Sequence, residues 1–312
     1  MTFVFWFLVA LLLFPASSVA APGSEKMKAP ASGWAPYEVP AGKPKPLAKV
    51  PPRVKQSSLT LLDWNIQVGS DAGVFKNHWK QRKDLLVRVL RRETPDILCV
   101  QEGMKEQIDF IRSAVPGYSY VGVGRDDGNQ SGEHCAILYS KRLEVLDHGT
   151  FWLSDTPDSP ENTWDAIFKR ICTWARFRDL PTGNKFCIFN THFPLLPEAR
   201  DKAVKLLLNR MVTECPRGNM ILVGDFNCEP GSGPWKAIEK SGLKDAEYLF
   251  SKKVQRSRTY HLYGKPTNAI DAVFLPSNVR VLRHRIVNDI VGNRYPSDHF
   301  GTHVEFEFLP SN

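Results

Sequence analysis

Six short apolar runs between residues 59 and 300 each stop at an acid, an amide or an imidazole. They end in Trp64-Asn65-Ile66, Val100-Gln101-Glu102, Asn190-Thr191-His192, Gly224-Asp225-Phe226-Asn227, Ile270-Asp271 and Ser297-Asp298-His299. A continuous apolar run is the mark of a strand buried on both faces. Its last residue sits at the rim of the sheet, where sites are commonly built. Each end taken alone has a plain structural explanation. Asp225-Phe226-Asn227 suits an Asx turn, and His192 suits a hydrogen-bonded core histidine. Six such ends are more than independent turns explain, so the chain is expected to bring several buried strands to one polar place.

The remaining elements follow from periodicity. Trp79 to Arg92 places Leu85, Leu86, Val89 and Leu90 at helical spacing, with Pro95 as the stop. Arg200 to Val212 is a second amphipathic helix, with Ala203, Val204, Leu207, Leu208 and Met211 inward. Residues 96–100, 220–223, 269–275 and 301–308 read as single strands, and 135–153 and 171–191 as strand pairs joined by short turns. The second pair turns at Pro181-Thr182-Gly183-Asn184. Many strands and few helices suggest two sheets packed face to face with helices outside.

Residues 1–20 hold an apolar run from Phe3 to Phe14, too short to span a bilayer comfortably, followed by the small-residue pattern Ser18-Val19-Ala20. They read as a signal peptide, with an uncleaved anchor as the alternative. Residues 21–56, rich in Pro, Ala, Gly and Lys, read as an extended tether. Residues 57–312 then form one catalytic domain without internal repeats. Six cysteines in an exported chain of 312 residues do not make a disulfide scaffold. Cys99, Cys135, Cys172 and Cys187 sit in apolar runs and read as small buried hydrophobes. The hairpin register argues against a Cys172–Cys187 bridge and leaves Cys215–Cys228 open. No cysteine spacing resembles a zinc site.

The ordered set WNIQ, VQEG, NTHF, GDFNCEP, IDAVF and SDHFG resembles the endonuclease/exonuclease/phosphatase superfamily, of the deoxyribonuclease I-like type. The likeness runs from Leu59 to Phe306 and, through SGEHCAILYSKRLEVLDHGTFWLSDTPD, extends to a microbial branch whose substrates are often unassigned. It implies an α+β, four-layer α/β/β/α sandwich of two packed mixed sheets flanked by helices. It implies Mg²⁺, with Mn²⁺ or Ca²⁺ as substitutes, held by Glu102, with Asp298 and Asn65 at or near the ion. His299 is then the candidate base, oriented by Asp271. Asp225 and Asn227 position the nucleophile and a phosphate oxygen, with Asp225 and His299 both open as the proton acceptor. His192 donates to the phosphate or leaving group, held by Glu133. Arg170 is a phosphate clamp, since a guanidinium matches phosphate oxygens bidentately. Two positions depart from the family pattern: Ala272, where a larger residue is common, and Gly301, where Pro is frequent. Both are expected to bear on pocket shape.

The formal net charge of +8 favours anionic partners without choosing among them. With export, it points toward phosphodiesters of extracellular DNA or RNA. A phosphomonoesterase for sugar or nucleotide phosphates is the alternative, and a sphingomyelinase-like lipid phosphodiesterase a weaker one. For the latter, only Thr259 to Gly264 offers itself as a membrane loop, and it reads better as a loop at the site rim. A non-catalytic anion-binding protein would leave the acid and imidazole set unexplained. The resemblance implies no obligate protein partner and a monomer.

Overall fold

The computed structural model describes residues 47–69, 78–164, 167–216, 218–253, 255–292 and 294–310. The expected signal segment 1–20 and residues 21–46 of the expected tether lie outside the described residues. Residues 47–56 form no regular element but lie on the body. There Arg53 donates to both Asp96 carboxylate oxygens at 2.7 and 3.0 Å, and Val54 N to Glu305 Oε1 at 2.6 Å.

Two six-stranded mixed sheets make up the centre of the fold. The first runs β11 (Val279–Val287), β12 (Gly301–Phe308), β1 (Leu59–Asn65), β2 (Ile97–Gly103), β4 (His134–Ser140), β3 (Tyr118–Val121). The second runs β5 (Leu143–Trp152), β6 (Ile171–Asp179), β7 (Lys185–His192), β8 (Asn219–Asp225), β10 (Asp271–Leu275), β9 (Lys244–Asp245). Each sheet has one parallel pair at its centre, β1/β2 and β7/β8, with antiparallel neighbours on both sides. Parallel strands need a long crossover. Helix α1 (Trp79–Glu93) supplies it in the first sheet and α3 (Pro197–Glu214) in the second. Shorter helices α2 (Lys105–Ala114), α4 (Gly233–Lys240) and α5 (Ala246–Ser251) complete the set.

Side chains alternate between the two faces of each strand, and this alternation sorts the core. Leu59, Leu61, Ile97, Cys99, Phe186, Ile188, Ile221, Val223 and Val273 meet in the layer between the sheets. Leu62, Trp64, Leu98 and Val100 face α1 and α2 instead, beside Leu85, Leu86, Val89, Ile108 and Ile111. On the second sheet Phe189, Leu222 and Phe274 face α3 and α4, against Ala203, Val204, Leu207 and Trp235. Trp152, Trp164 and Trp174 belong to the core.

Two expectations need correction. Residues 135–153 are not a hairpin. β4 belongs to the first sheet and β5 to the second, so the chain crosses between sheets at Lys141-Arg142. Arg142 staples that crossing, donating to Asp179 Oδ1 at 2.6 Å in one sheet and to the Ser58 carbonyl at 2.6 Å beside the other. Cys187 is not a free buried thiol either, and Cys228 is not the partner of Cys215: a disulfide joins Cys187 to Cys215. Alternation turns Cys187 outward beneath α3, whose C-cap residue is Cys215.

Candidate active site

The polar rim forms at the C-terminal ends of the central strands, on the face each sheet turns toward the other. Following the inward residues of β1 upward gives Leu59, Leu61, Asp63 and then Asn65. The same period gives Asn190 and His192 on β7, Asp225 on β8, and Asp271 at the start of antiparallel β10. Below the rim Gln101 Nε2 donates to Asp63 Oδ1 at 2.8 Å and to Asn190 Oδ1 at 2.6 Å. Burial, then the neighbouring Asp271 charge, pushes the Asp63 carboxyl well above the usual carboxylate range.

Glu102 breaks the alternation. Gln101 already points inward, so an ideal strand would turn Glu102 outward. A bulge between Val100 and Gly103 and a left-handed φ of 59° at Glu102 turn the chain at this point. Its carboxylate then accepts from Asn65 Nδ2 at 2.9 Å and from Val68 N at 3.0 Å. Of the seven described non-glycine residues with positive φ, Gln67, Glu102, Asn227, Leu262 and Tyr263 surround this rim. Such conformations cost of order 1–3 kcal/mol each and cluster at functional sites.

Asn65 Nδ2 donates at 3.1 Å to Asp225 Oδ2 as well, so one amide bridges carboxylates from opposite sheets. Asp225 Oδ2 lies 3.5 Å from His192 Nε2 and 3.8 Å from His299 Nε2. His299 Nδ1 is 2.8 Å from Asp271 Oδ2. Burial alone would depress the His299 imidazolium, but Asp271, with Asp225 and Asp298, overcomes this and holds it well above an ordinary histidine. Burial, with Arg170 and Arg125 nearby, drives His192 the other way, well below the ordinary value, so this ring is neutral. Burial and then Asp271 push the Asp225 carboxyl up. Asp225, Asp271 and His299 each offer a ligand atom within 4.8 Å of the others. Asp298 accepts from Gln67 Nε2 at 3.2 Å, and Ser297 Oγ donates to the Asn65 carbonyl at 2.6 Å, which ties this loop to β1.

Every residue expected at the site is therefore near it, but some contacts differ from those foreseen. Glu133 does not hold His192. It forms a fork with Arg125 at 2.6 and 2.8 Å, and His192 Nδ1 is buried with no hydrogen-bond partner. The Asn65 side-chain oxygen accepts from Gln67 N at 3.0 Å, which leaves its nitrogen facing the acids. Asn227 Nδ2 donates to the Phe193 carbonyl at 2.8 Å, and its backbone N–H to Asp225 Oδ1 at 2.9 Å, so this residue braces the end of β8. Arg170 is 6 % exposed, and among the described residues its guanidinium has no hydrogen bond or ion pair. Together with Glu102, Arg125, Glu133, Lys169 and His192 it lines a recess of about 170 Å³.

Sequence reasoning missed Gln67, Arg82 and the Arg125–Glu133 fork, and placed Tyr263 only as part of a loop at the site rim. Arg82 is buried in α1 and donates to the carbonyls of Ile66, Gln67, Val68 and Pro296, fixing the loops that carry the rim. A cation among the apolar positions of a helix was the available signal. Ala272 and Gly301 do not face the chemistry. Ala272 packs outward with the core under α4, and a Cβ on Gly301 would come within 2.9 Å of Leu62 and 3.1 Å of Trp64. Trp64 in turn donates to the His299 carbonyl at 2.9 Å.

Residues 64–299, from the first of these rim motifs to the last, match the profile of the Endonuclease/Exonuclease/phosphatase family. The chain belongs to that family. Two solved structures from Bacteroides thetaiotaomicron share its fold closely. One, a protein of the same family, is 32% identical with a TM-score of 0.72, covering 80% of this chain and 98% of that one. The other, a mannosyl-6-phosphatase, is 31% identical with a TM-score of 0.73, covering 80% and 100%. Among curated sequences, nocturnin of Drosophila melanogaster is 24% identical over 316 residues, 82% of this chain and 48% of that protein. The chain spans 60% and 48% of the length of two curated relatives that it matches.

Proposed function

We propose that this chain is a divalent-metal-dependent phosphoesterase that hydrolyses its substrate by in-line attack of water on phosphorus. The observation that carries this reading is Asp225, an inward carboxylate 3.5 Å from one imidazole and 3.8 Å from another. Asp271 fixes the second ring in place, and Asn65 links Asp225 to Glu102. Such a set can hold a water, take its proton and donate to phosphate oxygens. Asp225 is within reach of that proton, His299, held as its imidazolium by Asp271, can donate at the same point, and neutral His192 faces it too.

The donor set fits a hard cation. Glu102 and Asp298 offer carboxylate oxygens, and burial pushes the Asp298 carboxyl up, a penalty that a bound cation relieves. Glu102 and Asp298 would hold the ion, Mg²⁺ by donor preference. Asn65 supports them as a hydrogen-bond donor, since its oxygen is engaged elsewhere. When bound, the ion neutralises phosphate charge in the transition state. The Asp225–Asp271–His299 group reads instead as the acid–base set, because Asp271 and His299 already bond directly. Arg170 lines the recess and suits the phosphate oxygens.

For substrate we favour a phosphomonoester of a sugar-like alcohol. The 31% likeness to a mannosyl-6-phosphatase, which spans all of that chain, supports this reading. The net charge of +8 supports a second one, a nucleic-acid phosphodiester. Export is supported by the apolar segment of residues 1–20 and by the Cys187–Cys215 bridge, which persists in oxidising compartments. The test is phosphate release from a hexose 6-phosphate and an aryl phosphomonoester, beside cleavage of an aryl phosphodiester and single-stranded DNA, each with Mg²⁺ and with chelator. Chelator-sensitive turnover of the monoesters is expected. Turnover confined to the diester or to DNA would select the second reading, and turnover indifferent to chelator would reject the metal role.

A further inference from the structure

Between Tyr260 and Gly264 the chain folds back over the rim, with Leu262 at φ 43° and Tyr263 at φ 62°. Two successive bulky residues in the left-handed region persist only where surrounding contacts hold them. Here the contacts lead to Asp298. His261 N donates to the Asp298 carbonyl at 3.0 Å, and Leu262 N to the same oxygen at 3.3 Å. Tyr263 N donates to His261 Nδ1 at 3.0 Å, and the His261 ring packs against Phe300 with centroids 4.2 Å apart and planes tilted by 30°. The Tyr263 hydroxyl donates to Gln67 Oε1, and Gln67 Nε2 donates at 3.2 Å to Asp298 Oδ2.

Gln67 is itself immobilised. It is 4 % exposed, and its carbonyl accepts from Arg82 at 2.7 Å and from Gln107 at 2.9 Å. Its side-chain amide is therefore a fixed two-ended link. A phenol that donates to the amide oxygen leaves the amide nitrogen facing the carboxylate, so Tyr263 selects the orientation in which Gln67 can bond Asp298. We propose that Tyr263, acting through Gln67, is a positioning residue that sets the Asp298 carboxylate for metal binding. The inference rests on the metal role given above to Asp298. Partners of ligating carboxylates tune affinity strongly, and their loss typically weakens it 10–100-fold.

Mn²⁺ binding to the otherwise metal-free chain, read by electron paramagnetic resonance and without turnover, tests it. Tyr263→Phe is expected to bind Mn²⁺ about 10-fold more weakly than wild type. Tyr295→Phe removes a hydroxyl from the same aromatic group, one with no hydrogen bond among the described residues, and is expected to bind as wild type does. Gln67→Met should reproduce the Tyr263→Phe loss, and the double variant should add little, because the two residues act in series. Wild-type affinity in Tyr263→Phe or Gln67→Met, or an equal loss in Tyr295→Phe, would overturn the inference alone. Wild-type Mn²⁺ binding unaffected by Glu102→Gln would instead overturn the metal site on which it rests.

Discussion

Gly224 shows how much a single residue decides here. It sits at φ 143°, and a Cβ on it would stand 2.0 Å from the Thr191 carbonyl of the neighbouring parallel strand. Only glycine lets β8 lie against β7 immediately before Asp225, and the register places His192 beside Asp225. Gly224→Ala is therefore expected to lower stability and to cut activity more than 10-fold, since displacements near 1 Å cost about that much or more. Unfolding midpoints and phosphate-release rates measured together check this, and a wild-type rate would count against the geometry. The acids and imidazoles of the rim were legible in the sequence because six buried apolar runs in one chain close on such residues, more than independent turns explain. Gln67 and Tyr263 were not legible, because their meaning depends on each other across 196 residues. The resemblance implies Glu133 as the group that holds His192, but Arg125, eight residues away and a stronger partner for a carboxylate, pairs with it instead.

Among the elements, period and stop signals located α1, α3, β2 and the β6–β7 hairpin to within a few residues. They did not reveal that β4 and β5 part company, because alternation says which face is buried and not which sheet a strand joins. Strand β11 escaped notice because seven of its nine positions are at least partly exposed and four carry Arg or His. The Cys187–Cys215 bridge ties the end of α3 to β7 across a separation of 28 residues. Its removal by Cys215→Ser is expected to cost about 2–4 kcal/mol, measured as the shift in denaturant midpoint against wild type under non-reducing conditions. An unchanged midpoint would show that the bridge adds nothing. On β12, burial, with Arg285 and Arg283 nearby, lowers His303 to about 3. A folded value below the unfolded 6.5 favours the native state above pH 6.5, and that stability is lost as pH falls toward 3. Wild type should lose about 2 kcal/mol between pH 7 and pH 5 from this group, and His303→Gln correspondingly less. Equal losses in both proteins would refute the assignment.

At the scale of the whole molecule, the fold works by facing two similar sheets. Each carries one parallel pair with a helical crossover, and the strand ends of both pairs meet. Glu102 and Asn65 come from the first sheet, and His192, Asp225 and Asp271 from the second, with His299 on the loop that enters β12. Neither sheet holds the set alone, so packing of the apolar layer below fixes distances within the site above. The measurement that tests this most directly is the Mg²⁺-supported rate of phosphate-ester hydrolysis by Glu102→Gln and His299→Ala, each shown to unfold at the wild-type temperature. Both are expected to fall at least about 100-fold, one having lost a metal ligand from the first sheet and the other an acid–base group held by the second. Either folded variant retaining a rate within a few-fold of wild type would contradict a single site built across both sheets.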